Sequence, residues 1–244
     1  LSAVDVSGGA ALGPDQSEVL LDIAVIMSFA HGANVVVYRA PFTGGGSFQR
    51  VFNRMLDDGV DIISNSWAYC ENQTSAADVQ SIDMILQNAA AAGVSVFSAS
   101  GDSGTTCLNG TANVIAVPSG APHLTAVGGT SVTRSPGAQW GSERWWGSLP
   151  DVQPTGQGGH GTSRYFNRPA YQNGHNGAAM RSIPDVVANA DPAGGVWICQ
   201  QSAGGCPTGL LYGGTSASAP LWAAFTAKLN QAGGTNLGWL NPQL

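Results

Sequence analysis

Apolar residues run almost unbroken through Val35–Tyr38, Asp61–Trp67, Val94–Ser100, Val114–Pro118 and Leu124–Val127. A strand with one wet face alternates apolar and polar residues, so runs with this little alternation predict strands buried on both faces. Between the first three runs, Ser47–Asp58 and about Asp78–Ala92 read as helices. Strands separated by helices predict crossover connections, and so an α/β, doubly wound, mainly parallel sheet with helices on both sides. A further helix is predicted from Asp15–Ser17 through SEVLLDIAVIMSFA, with Pro14 marking its start and His31-Gly32 its end. Its apolar residues are spread so widely that it is expected to be buried nearly all round. The last helix starts at Thr215-Ser216, runs through SASAPLWAAFTAKLN to about Asn230 and ends in Gly233-Gly234. Pro220 is read as part of its first turn, where a missing N–H costs little. From Ser131 to Gly209 the pattern is loop-rich, with Val196–Gln200 and Gly209–Tyr212 as the arms of a hairpin. No internal repeat or disordered linker interrupts the 244 residues, which are read as one domain.

Composition narrows the setting. Charged residues make up 10% of the chain, with 9 basic against 15 acidic side chains and a net charge of −6. That balance offers nothing to a nucleic acid. No apolar run reaches the roughly 18 residues needed to span a bilayer, so no membrane partner is expected. The sparse charge and 34 glycines suit an extracellular protein. The four cysteines, Cys70, Cys107, Cys199 and Cys206, include no CxxC pair, which argues against zinc. Their even number predicts disulfides and an oxidising compartment, with Cys199 and Cys206 closing the hairpin loop.

Three segments carry candidate chemistry. In Gly213–Pro220, GGTSASAP, glycines allow a sharp turn and put a hydroxyl residue at the start of an apolar helix. The free N–H groups and the dipole there can stabilise a developing negative charge. By itself such a serine or threonine reads first as a helix cap, and the following A-S-A-P and apolar helix turn it into a nucleophile signature. Glu18 and Asp22 stand four residues apart on the first helix, which puts both carboxyls on one face about 5–6 Å apart at Cβ. Among Val19, Leu20, Leu21, Ile23, Ala24, Val25 and Ile26 they would repel each other and resist ionisation. SASGDSG, Ser98–Gly104, follows an apolar strand, where open α/β sheets form their crevices, and Asp102 could point into one or simply make a turn.

These pieces together resemble the sedolisin, or serine-carboxyl peptidase, family. SEVLLDIA, ISNSW, SASGDSG, VGGT, SIPDV, GGTSASAP and LGWLNPQL occur in the family's order, and the likeness runs through the whole chain. The resemblance implies a subtilisin-like fold and a serine peptidase that acts in acid through an acyl-enzyme, as an endopeptidase or a tripeptidyl-peptidase. Position by position, Ser216 matches the nucleophile and Glu18 the general base. Asp22 matches the carboxyl that supports that base, and Asp102 the oxyanion-hole aspartate. Trp67 lies on a strand that helps line the cleft, in a supporting role. The implied partners are a polypeptide substrate and a propeptide in the precursor, with the enzyme monomeric and secreted. The family also has further strands before the Glu18 helix and a calcium site after the nucleophile helix. No segment here matches the calcium ligands, so calcium is expected of the family and no metal ligand is assigned in this chain. The chain is therefore expected to be a partial catalytic domain, incomplete at both ends and poorly stable alone. In this frame Cys70 and Cys107 follow neighbouring strands and are expected to bond, as are Cys199 and Cys206.

The chemistry explains why no histidine is needed. In strong acid an imidazole with a pKa near about 6.5 is protonated, whereas a glutamate near about 4.3 still serves as a base. Two rival readings remain. His160-Gly161-Thr162 resembles the H-G-T of His-dependent subtilisins, but it follows the oxyanion strand and leads into Arg164-Tyr165-Phe166 rather than a helix of small residues. A relative that binds peptide without cleaving it is the other. TGGGS, Thr43–Ser47, lacks the spacing of a nucleotide-binding loop and reads as a turn. His31, His123 and His175 have no partner motif and are read as surface or loop residues.

Overall fold

The computed structural model describes residues 1–11, 13, 15–43, 46–137, 139–147 and 156–244. Pro14 and the middle glycines of TGGGS, Gly44 and Gly45, lie outside them. The chain opens with β1 (Ser2–Asp5), α1 (Gln16–Phe29), β2 (Val36–Arg39) and α2 (Ser47–Asp57). There follow β3 (Ile62–Asn65), β4 (Tyr69–Cys70), α3 (Ala76–Ala91), β5 (Ser95–Ala99), β6 (Ala116–Val117) and β7 (Thr125–Ser135). The remainder contains β8 (Gln139–Trp145), β9 (Gly161–Asn167), β10 (Met180–Ile183), β11 (Val186–Asn189), β12 (Val196–Trp197), β13 (Leu211–Tyr212) and α4 (Thr215–Gly233).

The central sheet has the order β11-β7-β5-β3, all parallel, with β8 antiparallel to the outer half of β7. Successive residues of its strands point to opposite faces. Val96 and Ala126 pack with Phe48 and Phe52 of α2 and with Val79, Ile82 and Leu86 of α3. Their neighbours Phe97 and Val127 pack with Ala219 and Ala223 of α4. That two-sided burial is why the strands lack polar alternation. Small residues on α4 let it lie close to the sheet, and α1 packs on α4 through Leu21, Val25 and Ala217, with Ile198 beside them.

Several expectations need correction. The Val35–Tyr38 run forms β2, but among the described residues it pairs with β1 alone and stays out of the central sheet. A cavity of about 1020 Å³, lined by Val36 and Tyr38 on one side and Ile62, Ile63 and Ser64 on the other, separates the edges of β2 and β3. Strands pair only at a spacing of roughly 4.8 Å. Of Val114–Pro118, two residues form a strand, paired antiparallel with β4 and away from the main sheet. The loop-rich region hides β8 to β11, and β11 completes one side of the sheet. Helix α1 is not covered all round: Met27 and Phe29 in its last turn are exposed. Pro220 is the sixth residue of α4, beyond the first turn. Having no N–H, it cannot bond the carbonyl four residues back, that of Ser216.

Both expected disulfides are formed, Cys70–Cys107 with Cα atoms 5.9 Å apart and Cys199–Cys206 with 4.2 Å. SIPDV ties β10 to the sheet through a buried ion pair. Arg181 reaches Asp185 with Nη1 at 2.7 Å and Nη2 at 2.5 Å, their side chains 0% and 6% exposed. Asp185 Oδ2 also accepts from the backbone of Ala126, the second residue of β7, at 2.8 Å. Removing the carboxylate would strand a guanidinium away from water. Asp185→Asn is expected to lower the unfolding free energy by about 3–5 kcal/mol, read from chemical denaturation.

Candidate active site

Four side chains singled out in the sequence come from three elements that meet at one end of the sheet. Glu18 stands in the first turn of α1, with Asp22 one turn further on. Asp102 follows β5, and Ser216 is the second residue of α4. The packing of α1 on α4 brings the Glu18 carboxyl to Ser216, whose hydroxyl favours its ionised form as a hydrogen-bond partner. Glu18 Oε1 is buried with no hydrogen-bond partner. Asp102 is also close enough for its charge to act on Glu18.

Each of these carboxyls is held above its ordinary pKa, and burial is the leading cause. For Glu18 the Ser216 hydroxyl opposes burial, while the charges of Asp102 and Asp15 add to it. Asp22 lies well above the usual range because of burial and then the Glu18 charge, with a hydrogen bond from Ser66 pulling it back. For Asp102 the opposing bonds come from the backbone and side chain of Thr215. Glu71, buried beyond the disulfide at Cys70, is raised by burial too, against bonds from Ser163 and Arg164.

Two residues with no assigned role contact this group directly. The Ser66 hydroxyl donates to Asp22 Oδ1 at 2.9 Å. Thr215 donates its backbone N–H to Asp102 Oδ1 at 2.7 Å, and its hydroxyl lies 2.8 Å from the same oxygen. Both stand inside motifs already quoted, ISNSW and GGTSASAP, each next to the residue that drew attention. The Trp67 ring lies 6.0 Å from that of Phe42.

The backbone around Asp102 is fixed by a glycine-rich segment lying alongside it. Gln157 N–H donates to the Asp102 carbonyl at 2.9 Å, Gly159 N–H to that of Gly101 at 2.7 Å, and Ser100 Oγ to the Gly159 carbonyl at 2.7 Å. A side chain at 159 would run into the Ser100 carbonyl. Gly214, at φ 100°, takes a left-handed conformation, and a β-carbon there would come within 2.6 Å of Asp102 Oδ2.

His160 belongs to that segment. Its Nδ1 lies 3.1 Å from the Gly158 carbonyl, and its ring packs edge-on against Trp145 at 5.3 Å. His31 and His175 are exposed, as expected. His123 is the exception: its Nδ1 lies 3.0 Å from Asp83 and its ring 5.0 Å from that of Trp239, contacts between segments far apart in sequence. For the calcium expected of the family, no group of three or more His, Cys, Asp or Glu side chains is gathered among the described residues. No step below runs through a metal. No helix among them is long and apolar enough to cross a membrane.

A parallel sheet flanked by helices, with a buried helix carrying a serine at its N-terminus, defines a subtilisin-like α/β protein. The chain belongs to the subtilase family, whose model matches residues 4–242. Within it the likeness is to the sedolisins, the serine-carboxyl peptidases. The chain is 38% identical to kumamolisin of Bacillus sp. (strain MN-32) over 244 residues, covering 95% of this chain and 42% of that protein. It is 30% identical to sedolisin of Pseudomonas sp. (strain 101) over 240 residues, covering 92% of this chain and 40% of that one. A solved Pseudomonas sedolisin, a serine-carboxyl proteinase complexed with two molecules of pseudo-iodotyrostatin, matches with a TM-score of 0.83 and 25% identity. That match covers 100% of this chain and 70% of the solved one. The chain thus spans less than half the length of the curated relatives it matches.

Raised carboxyl pKa values have a consequence for stability. A fold that binds these protons more tightly than the unfolded chain gains stability below the unfolded pKa values, about 3.9 to 4.3. The gain is lost as pH rises through the raised folded values of Glu18, Asp22, Asp102 and Glu71. The melting temperature is therefore expected to fall from mild acid to neutral pH, with a shallower fall in Asp22→Asn. Ser66→Ala, which removes a bond favouring ionised Asp22, is expected to raise the Asp22 pKa further, read by carboxyl carbon-13 titration.

Proposed function

We propose that the protein containing this chain is a secreted peptidase acting in acid, with Ser216 as nucleophile, Glu18 as general base, Asp22 as its support and Asp102 as an oxyanion-hole acid. The observation that carries this reading is the pairing of Ser216, at the N-terminus of α4, with a desolvated glutamate on α1. The nearest histidine in the sequence motifs, His160, is engaged instead with Gly158 and Trp145. The two disulfides and the low charge support an oxidising, extracellular setting.

The chemistry follows from the groups present. Ser216 Oγ attacks the peptide carbonyl carbon while its proton passes to the Glu18 carboxylate. The oxyanion that forms is met by the N–H of Ser216 and by a protonated Asp102, which donates a hydrogen bond to it. When the tetrahedral species collapses, the C–N bond breaks and Glu18 returns the proton to the departing amine. An acyl-enzyme ester remains on Ser216. Water, deprotonated by Glu18, attacks the ester, and the proton goes back to Ser216 as the acid product leaves. Asp22 shares a proton with Glu18, so the two titrate as a pair. Polypeptide is the substrate, and the same bond-breaking sequence serves an endopeptidase or a tripeptidyl-peptidase. A propeptide in the precursor and a monomeric mature enzyme complete the reading.

Glu18 must be ionised and Asp102 protonated for turnover. Ionisation of the Glu18–Asp22 pair sets the rising limb of the pH–rate profile, and loss of the Asp102 proton sets the falling limb. On a mixed peptide library the full-length protein is expected to be most active below about pH 6, since both limbs belong to carboxyls. Ser216→Ala and Glu18→Gln are each expected to lower kcat/KM by at least about 1000-fold. His160→Ala is expected to stay within a few-fold of the parent. A peak in mild alkali, or loss of activity in the His160 variant with Glu18→Gln active, would overturn the assignment in favour of a His-dependent subtilisin. Failure of a serine-directed peptidyl inhibitor to label Ser216 would favour a peptide-binding relative.

A further inference from the structure

The two oxygens of the Asp102 carboxyl are not equivalent. Oδ1 accepts the Thr215 backbone N–H at 2.7 Å and has the Thr215 hydroxyl at 2.8 Å. Oδ2 has neither bond and faces the α-carbon of Gly214, where a β-carbon would approach it to 2.6 Å. A backbone N–H can only donate, so Oδ1 is held as an acceptor. When Asp102 is protonated, the proton therefore sits on Oδ2, which leaves that oxygen able to donate.

The Thr215 hydroxyl is itself fixed. Thr215 is buried, and its Oγ1 accepts the Gly101 N–H at 3.0 Å. Its single proton can go to Asp102 Oδ1 or to the Gly101 carbonyl at 3.2 Å. An ionised carboxylate is the stronger acceptor, and it is also the nearer one. The hydroxyl thus favours the carboxylate over the acid, in opposition to burial.

We propose that Thr215 is a positioning residue that confines the acid proton of Asp102 to Oδ2 and sets the pH at which that proton is lost. The proposal rests on the reading of Asp102 as the oxyanion-hole acid. Other ionisable groups also bear on Asp102. Glu18 on α1 interacts with it through charge. His160, from the segment alongside, lines the same small pocket.

The test uses the full-length enzyme and the falling limb of kcat/KM against pH. Thr215→Val keeps the branched shape and the N–H but removes the hydroxyl. The limb is expected to move upward by roughly 1–2 pH units, the size of one lost hydrogen bond to a charged group. Thr215→Ser, which restores the hydroxyl, is expected to bring the limb back. Thr215→Ala removes the same hydroxyl without the valine branch and reads the same limb if the valine variant does not fold. The shift should persist when His160→Gln is added, which separates it from the imidazole charge. A limb that stays in place or moves down in a folded variant without the hydroxyl overturns the proposal. Asp102→Asn distinguishes the two levels of the argument. If its falling limb persists, the reading of Asp102 as the acid fails. If the limb vanishes there but is unmoved without the Thr215 hydroxyl, Thr215 alone loses its role.

Discussion

Glu18 and Asp22 stand on successive turns of α1, in surroundings that favour their neutral forms. Leu21 and Val25 hold the helix there against Ala217 of α4 and against Ile198. Taking carboxyls out of water costs free energy, and their mutual repulsion adds to the cost. Few partners offset it directly: Ser66 on Asp22 and Ser216 on Glu18. Apolar packing of α1 on α4, and of α4 on the sheet, has to supply the rest. The helix that carries the carboxyls and the helix that carries the serine are therefore bound to each other by the same contact that desolvates the site.

The other side of the site depends on close backbone approach. Asp102 leaves β5 on a loop whose carbonyls and amides are paired with residues 157–159, and Thr215 clamps its carboxyl from the start of α4. Glycines at 159 and 214 make that approach possible, since a β-carbon at either would collide with the Ser100 carbonyl or with Asp102. Pro220 adds a second local effect on α4. It withholds a donor from the carbonyl of Ser216, one turn earlier, so the start of this helix is less completely bonded than the rest. Rigid main-chain bonding and the absence of side chains thus define where Asp102 can sit.

Much of this was legible in the chain. β3, β5 and the first part of β7 follow from apolar runs without alternation, and α2 and α3 from the stretches between them. The motif order gave the family, and the spacing of Glu18 and Asp22 gave their shared helix face. Less legible were β8 to β11. Many of their residues, such as Gly161-Thr162-Ser163-Arg164 and Arg181-Ser182, are polar or small; β8 and β11 become strands by pairing with β7, and β9 and β10 by pairing with each other. Val114–Pro118 shows the opposite error. It is apolar because it packs under Tyr69 and the Cys70–Cys107 bridge, and only two of its residues pair.

The sequence by itself determined the alternation of buried strands with helices, the pairing of carboxyls on one helix and the serine at the mouth of another. Those features reside in local periodicity and in motifs a few residues long. It did not determine that β2 stands apart from the sheet, that His123 has a partner in Asp83, or that Thr215 and Ser66 bond the site carboxyls. Each joins residues about 40 or more positions apart, or depends on whether two edges come within bonding distance. Hydrogen bonds and desolvation act over a few ångströms of space whatever the separation along the chain, so only the tertiary structure could decide them.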